Sequence, residues 1–195
     1  MKQLTANDVL DIAQYEKQRE EYRKQVIGLK KARRVQVGGL ITLVFENRET
    51  IKFQIQEIMR AERIVSDDRI QEEIDTYNEL LPRTNELSAT LLVEIQDKER
   101  LREILDQFIG IDKGETTFLV VGDDRIPAEY EGGHSNEVRV SAVHYLRFRL
   151  TQEQAERFRS GSAPVKVAID HQNYHEETPL PDNVRASLAG DLREE

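Results

Sequence analysis

The sequence predicts an α+β protein: a largely antiparallel sheet with N-terminal helices, a buried central helix and a C-terminal helix. Three observations carry this expectation. Apolar residues recur at helical spacing in some segments and alternate in others. The two kinds of segment follow one another without a regular βαβ rhythm. Strand-like runs flank the dipeptide Gly38-Gly39, a short hairpin signal. All 195 residues are assigned to one domain, in which residues 1–34 form a helical N-terminal arm.

Thr5-Ala6-Asn7-Asp8 reads as a capping box with Asp in place of Glu, opening a short helix through Val9, Leu10 and Ile12. A second helix is expected from about Glu16 to Ala32. Its stripe of Tyr15, Tyr22, Val26 and Leu29 is narrow, which suits a helix lying on its own domain or against a partner. Val35–Val37 and Leu40–Phe45 form the hairpin, with Gly38-Gly39 as a two-residue turn.

A helix from about Thr50 to Val65 places Ile51, Ile55, Ile58, Met59, Ala61 and Val65 on one broad face and Phe53 and Ile64 nearly opposite. Apolar residues on almost every side mark it as the buried central helix. The next helix begins after Ser66, carries Ile70, Ile74, Tyr77 and Leu81 on one face, and stops before Pro82. Leu87–Ile95 alternates as a strand, and Asp97 is positioned to cap a helix with Leu101, Ile104, Leu105, Phe108 and Ile109 inward. Thr116–Val121 and Arg125–Tyr130 follow as strands around a Gly122-Asp123-Asp124 turn, and Val138–Leu150 as a long strand. Thr151–Gln154 is a full capping box for a short helix ended near Gly161. Pro164–Asp170 is a strand, the stretch after it a loop, and Asp182 the cap of a final helix with Val184, Leu188 and Leu192 inward.

Composition removes several functions. With no cysteine there is no disulfide framework, thiolate zinc site, iron–sulfur cluster or cysteine nucleophile. Hydrophobic residues make up 38% and charged residues 33%, the balance of a well-solvated chain. Met1–Asp8 lacks the apolar stretch of a secretory signal, and the longest strongly apolar run, Leu40–Phe45, is too short for a membrane span, so a cytoplasmic location is expected. Met1–Arg34 holds nine lysines and arginines against five acidic residues, leaving 19 against 32 for the remainder. The basic focus Lys30-Lys31-Ala32-Arg33-Arg34 sits at a helix C-terminus, where the helix dipole alone favours it, which argues against a nucleic-acid role.

The central helix holds the first candidate site. Gln54, Glu57 and Glu62 fall among its apolar residues, and a carboxylate there needs a specific partner or a pocket to line. Internal ion pairing is the ordinary explanation; a ligand pocket or acid–base site is the other. On the long strand His144 stands alone on the apolar face, where a neutral core histidine is usual and a ligand or base role is the alternative. The opposite face carries Arg139, Arg147 and Arg149, expected to pair across strands with Glu129 and Glu131. His171 and His175 are metal candidates only if their four-residue spacing lies on a helix, and Pro179 and Pro181 favour a loop. Glu131-Gly132-Gly133-His134 has di-iron spacing, which its two glycines keep off a helix. No phosphate loop, dinucleotide fingerprint or nucleophile elbow occurs, and no cofactor is expected.

The run Phe45–Thr50, continuing through Phe53–Glu57 and Arg60–Ile64, resembles a bacterial family known only as a domain of unknown function. Tyr15-Glu16-Lys17, Lys31 with Arg33–Val35, Tyr77–Leu80, Glu86–Thr90, Leu146–Phe148 and Asp170-His171 with Tyr174 extend the resemblance over nearly the whole chain. What the resemblance implies is context: genes of the family often lie beside those for rubrerythrin-like and iron–sulfur oxidoreductase proteins, so an accessory role in redox or oxidative-stress physiology is expected. It supplies no catalytic residue. The expected function is a cofactor-free accessory or binding protein that self-associates or docks on a partner through its N-terminal helices. The alternatives are an enzyme built around Glu57 and Glu62, assisted by Gln54 and His144, and a metal-binding protein using His171 and His175.

Overall fold

The computed structural model describes residues 1–95, 97, 99–131 and 141–192. Eight strands form one sheet: β1 (Arg34–Val37), β2 (Ile41–Glu46), β3 (Glu86–Val93), β4 (Thr117–Val121), β5 (Asp124–Tyr130), β6 (Val143–Arg149), β7 (Val165–His171) and β8 (Tyr174–Pro179). Their order is β1-β2-β3-β6-β5-β4-β7-β8, and every neighbouring pair is antiparallel. The sheet curls until β1 and β8 meet, giving a nearly closed barrel. A side chain bridges that seam: the Tyr174 hydroxyl donates to the Val37 carbonyl at 2.7 Å and accepts from the Leu40 N–H at 3.2 Å.

The period-two alternation sends Val35, Val37, Leu43, Phe45, Leu91, Leu119, Phe148 and Val167 into the barrel, where they form one continuous core. Helices plug both ends. Helix α4 (Leu101–Asp106), which links β3 to β4, brings Ile104, with Phe108 and Ile111 just beyond it. At the other end α5 (Gln152–Ser160) and α6 (Asp182–Ala189) bring Phe158, Val184 and Leu188. Outside the barrel lie α1 (Ile12–Lys31), α2 (Arg48–Glu62) and α3 (Asp67–Asn78), with α2 packed between α1 and α3. A second core of Leu4, Ile51, Ile55, Met59, Ile64, Ile74, Leu80 and Leu81 binds this layer together, and Tyr145 of β6 packs against it from the barrel wall.

Several sequence expectations change. The Thr5–Asp8 capping box is present, but it closes only a single 3-10 turn, Ala6–Asp8; Asp11 then accepts from the Gln14 N–H at 2.8 Å and starts the long helix at Ile12. The register Val37↔Ile41 makes the hairpin loop three residues long, with Gly38 at φ +63°. A Cβ on Gly38 would lie 2.2 Å from the Tyr174 hydroxyl, so the loop is glycine because the seam passes over it. The expected loop after β7 is an edge strand, β8, which tolerates Pro179 because it pairs only with β7. Pro181, not Asp182, is the N-cap of α6. The long strand begins at Val143 in the described residues; residues 132–140, which hold Arg139 and all of the Glu131–His134 spacing but Glu131, lie outside them.

Helix α2 is buried or half-buried along its length except at Glu49, Ala61 and Glu62. It stops at Glu62 because Arg63 turns left-handed at φ 56°, so Val65 leaves the helical period and is 75% exposed. Gln56 is buried on this helix. It accepts from the Leu10 N–H at 2.6 Å and donates to the Leu10 carbonyl at 3.0 Å, which fixes the approach to α1. The stripe on α1 is used within the chain: Tyr15 and Val26 are buried in its packing on α2.

Arg33 changes most. It belongs to the basic run ascribed to the helix dipole, yet it is 1% exposed, at the end of the barrel that α6 covers. Its guanidinium donates to the Phe45 carbonyl at 2.8 Å, the Glu46 carbonyl at 3.1 Å and Ser187 Oγ at 3.1 Å, and it pairs with Asp191. Its neighbour Arg34 pairs with Glu94.

Candidate functional site: a cleft on the outer barrel wall

The three α2 candidates separate in the structure. Glu57 is half-buried and locked: Arg19 Nε lies 2.8 Å from Oε1 and Nη2 2.8 Å from Oε2, and the Tyr15 hydroxyl donates to Oε1 at 2.7 Å. The Arg19 guanidinium holds the Glu57 carboxyl below its usual range. Burial, reinforced by the carboxylate, pushes the Tyr15 hydroxyl well up. This is a neutralised joint between α1 and α2. Glu62 is on the surface at the helix end, not among buried residues as its place on the wheel suggested. Gln54 is half-buried, and its Nε2 has no hydrogen-bond partner among the described residues.

The histidines also divide. His144 and His171 both point into the α4 end of the barrel. His144 is 1% exposed, with the Tyr130 ring edge-on at 5.9 Å. The Tyr130 hydroxyl lies 2.6 Å from Thr117 Oγ1, and burial pushes its pKa up to about 12. His171 stacks on Phe108 and bonds through Nε2 to the Ile109 carbonyl at 3.0 Å. His175 lies on the outer face, 2.9 Å from Asp170, which also pairs with Arg125 at 3.1 Å. The β7–β8 hairpin thus sends His171 and His175 to opposite faces of the sheet, and the proposed metal pair does not converge.

A concavity of about 380 Å³ opens outside the barrel, over β3, β6 and β5. Ser88, Tyr145, Arg147, Arg149, Glu129 and Glu131 form its floor; the α3 end supplies Glu79 and Leu80, and the following loop Arg83. Tyr130 belongs both to this cleft and, through its hydroxyl, to the barrel interior. The arginine face of β6 pairs across strands as expected, but chiefly with Glu86: Arg147 Nη1 is 3.0 Å and Arg149 Nε 3.3 Å from its two oxygens. Arg149 also meets Glu129 at 2.9 Å, and Arg147 donates to the Glu79 carbonyl, pinning the end of α3 to the sheet.

Beside Ser88 in the sheet register stands Glu46, which the helical-wheel argument did not reach. It is 2% exposed; Oε1 accepts from Thr90 Oγ1 at 2.6 Å, and the buried Oε2 has no hydrogen-bond partner among the described residues. Two half-buried tyrosines share this patch, Tyr145 of β6 and Tyr77 of α3. Burial raises both hydroxyls, and Glu46 acts on each: with Tyr145, Glu73 and Glu62 on Tyr77, and with Glu131 on Tyr145. The sequence signal for Glu46 was faint: a carboxylate closing the apolar run Ile41–Phe45, which reads as the end of the strand.

Fold and site define a class: an antiparallel barrel with a filled interior and an outer helical layer, its polar cleft on the outside wall. Residues 3–192 match the model of a family described as a protein of unknown function, DUF3501, and the chain belongs to that family. It is similar to the crystal structure of a novel protein of unknown function from Burkholderia pseudomallei K96243. The two are 34% identical over 98% of this chain and all of that one, with a TM-score of 0.91. No curated protein matches the chain. Among the described residues, no helix is long and apolar enough to cross a membrane.

Proposed function

We propose that the chain is a cofactor-free cytoplasmic binding protein of accessory type, acting as a single unit and recognising its ligand in the cleft beside β6. One observation carries this reading. The barrel interior is packed with apolar side chains, while the outer concavity gathers Glu79, Arg83, Glu129, Glu131, Tyr145 and Arg149 from separate elements. Glu57 serves as the α1–α2 joint in this reading, since acid–base work would first require release of Arg19. His144 supports Tyr130 from behind the cleft. Association with a second copy or a partner protein would use the N-terminal helix α1, where Ile27 is exposed.

The test is an amide chemical-shift map of the protein against a library of small polar fragments. Binding fragments should perturb Ser88, Glu129, Tyr145 and Arg149 together. Hits gathered elsewhere, or no hits, would overturn the reading.

A further inference from the structure

We infer that the outer seam between α1 and α2, around Tyr22, Ile27, Lys30 and Lys52, docks an acidic segment of a partner protein that carries an apolar side chain among its carboxylates. The inference rests on α1 being the association face and names the chemistry of what it receives.

Two rings form the floor of this seam. Tyr22 of α1 and Phe53 of α2 are both half-buried and meet edge to face, their centroids 5.8 Å apart. Each ring carries a lysine from the opposite helix. Lys30 Nζ stands 5.9 Å from the Phe53 centroid, and Lys52 Nζ stands 5.9 Å from that of Tyr22. An ammonium over a ring keeps its charge and its N–H donors, so both lysines are positioned without being neutralised. The carboxylates nearby are engaged elsewhere. Glu20 pairs with Lys24 at 3.1 Å, Glu21 accepts from Gln25 at 3.4 Å, and Glu49 accepts from the Tyr22 hydroxyl at 3.3 Å. Asp8 holds Arg48, and Glu94 holds Arg34. On the same two helices Arg19 and Arg60 are paired, whereas Arg23, Lys30, Lys31 and Lys52 form no ion pair among the described residues. Arg23, Ile27 and Lys30 follow at i, i+4 and i+7 and so share one stripe of α1. Ile27, 42% exposed, is an uncovered apolar side chain with a cation on either side.

Charge complementarity selects the occupant. Four cations without a counter-charge call for carboxylates or phosphates. Nucleic acid fits poorly: a lysine already covers each ring where a base would stack, and residues 35–195 carry 32 acidic against 19 basic side chains, which repel a polyanion longer than the patch. A two-fold pairing of this chain through the same face would set Lys30 and Lys52 against their own copies. An amphipathic acidic helix laid along the seam meets both features, its carboxylates on the lysines and its apolar residue on Ile27.

Fluorescence anisotropy on the full chain tests this with labelled peptides of twelve residues. One has leucines at helical spacing among glutamates, the second has glutamates without leucine, and the third keeps the leucines with glutamine for every glutamate. Single-stranded DNA of twelve nucleotides is the fourth probe. The leucine–glutamate peptide should bind most tightly and weaken as salt rises, and the glutamine peptide should not bind. Ile27→Gln should abolish the preference for the leucine-bearing glutamate peptide over the leucine-free one. Lys30→Glu combined with Lys52→Glu should weaken the leucine–glutamate peptide by about tenfold. Lys113→Glu, between α4 and β4, should leave it unchanged. Should the double variant fail to fold, a wild-type shift map decides: the amides of Tyr22, Ile27, Lys30 and Phe53 should move with this peptide. Tighter binding of DNA, equal binding of the glutamine peptide, or unchanged binding by the folded double variant would overturn the inference. So would a dimer in light scattering that Lys30→Glu dissociates. A glutamine peptide seated on α1 would keep α1 as the association face and remove only the acidic partner, whereas peptides that shift no α1 amide would remove both.

Discussion

Replacing Glu57 by glutamine keeps its shape and removes the charge that Arg19 grips. The pair is partly screened by solvent, so Glu57→Gln should destabilise the fold by about 1–2 kcal/mol in urea unfolding at pH 7. The pH dependence follows from the depressed carboxyl. Its contribution is fully present above the range where an unfolded glutamate titrates and disappears as pH falls through the folded value. The gap between wild type and variant should therefore close below about pH 4. Arg33→Met should cost more, about 3–5 kcal/mol in the same measurement. It leaves Asp191 and two strand carbonyls buried without their donor. At this scale sequence reasoning identified Glu57 as a residue needing a partner, because a carboxylate among isoleucines is conspicuous. Arg33 was hidden, since an arginine at a helix end has a sufficient local explanation, and its partner Asp191 is 158 residues away.

Among the elements, the β1–β2 loop and β8 depend on each other. Gly38→Ala should destabilise by about 2–4 kcal/mol, adding a left-handed alanine to a clash with Tyr174. Gly39→Ala, whose added carbon meets nothing within 4 Å, should stay within about 0.5 kcal/mol. Equal effects of the two in denaturant unfolding would show that the seam does not constrain the loop. Strands with clean alternation and helices with capping boxes were legible, as at β6 and α5. β8 was not, because His175, Glu176 and Glu177 are all exposed on an edge strand and no buried face imposes alternation. The helix-end error at α2 has a local cause as well: a left-handed Arg63 carries no glycine to announce the stop.

For the molecule as a whole, a one-sided closure implies unequal local stability. Among the described residues the central pairs β2–β3 and β3–β6 form long ladders, whereas β1 and β8 are joined by the reach of one tyrosine. Native-state hydrogen exchange should therefore find the amides of His175–Thr178 opening first and those of Leu87–Leu91 last. Tyr174→Phe should accelerate exchange along β8 and leave β3 unchanged. The fold class and antiparallel character followed from periodicity and the absence of a βαβ rhythm. The sheet order did not, because pairings such as β3 with β6 join segments more than fifty residues apart that no local pattern relates.

The clasp around Arg33 bears on how the chain reaches this state. A guanidinium that binds strand β2 and a partner 158 residues along the chain closes a very large loop. Such closures slow folding far more than they alter final stability. The clasp should therefore form late on the way to the native state, so that Arg33→Met accelerates unfolding more than it slows refolding in stopped-flow measurements.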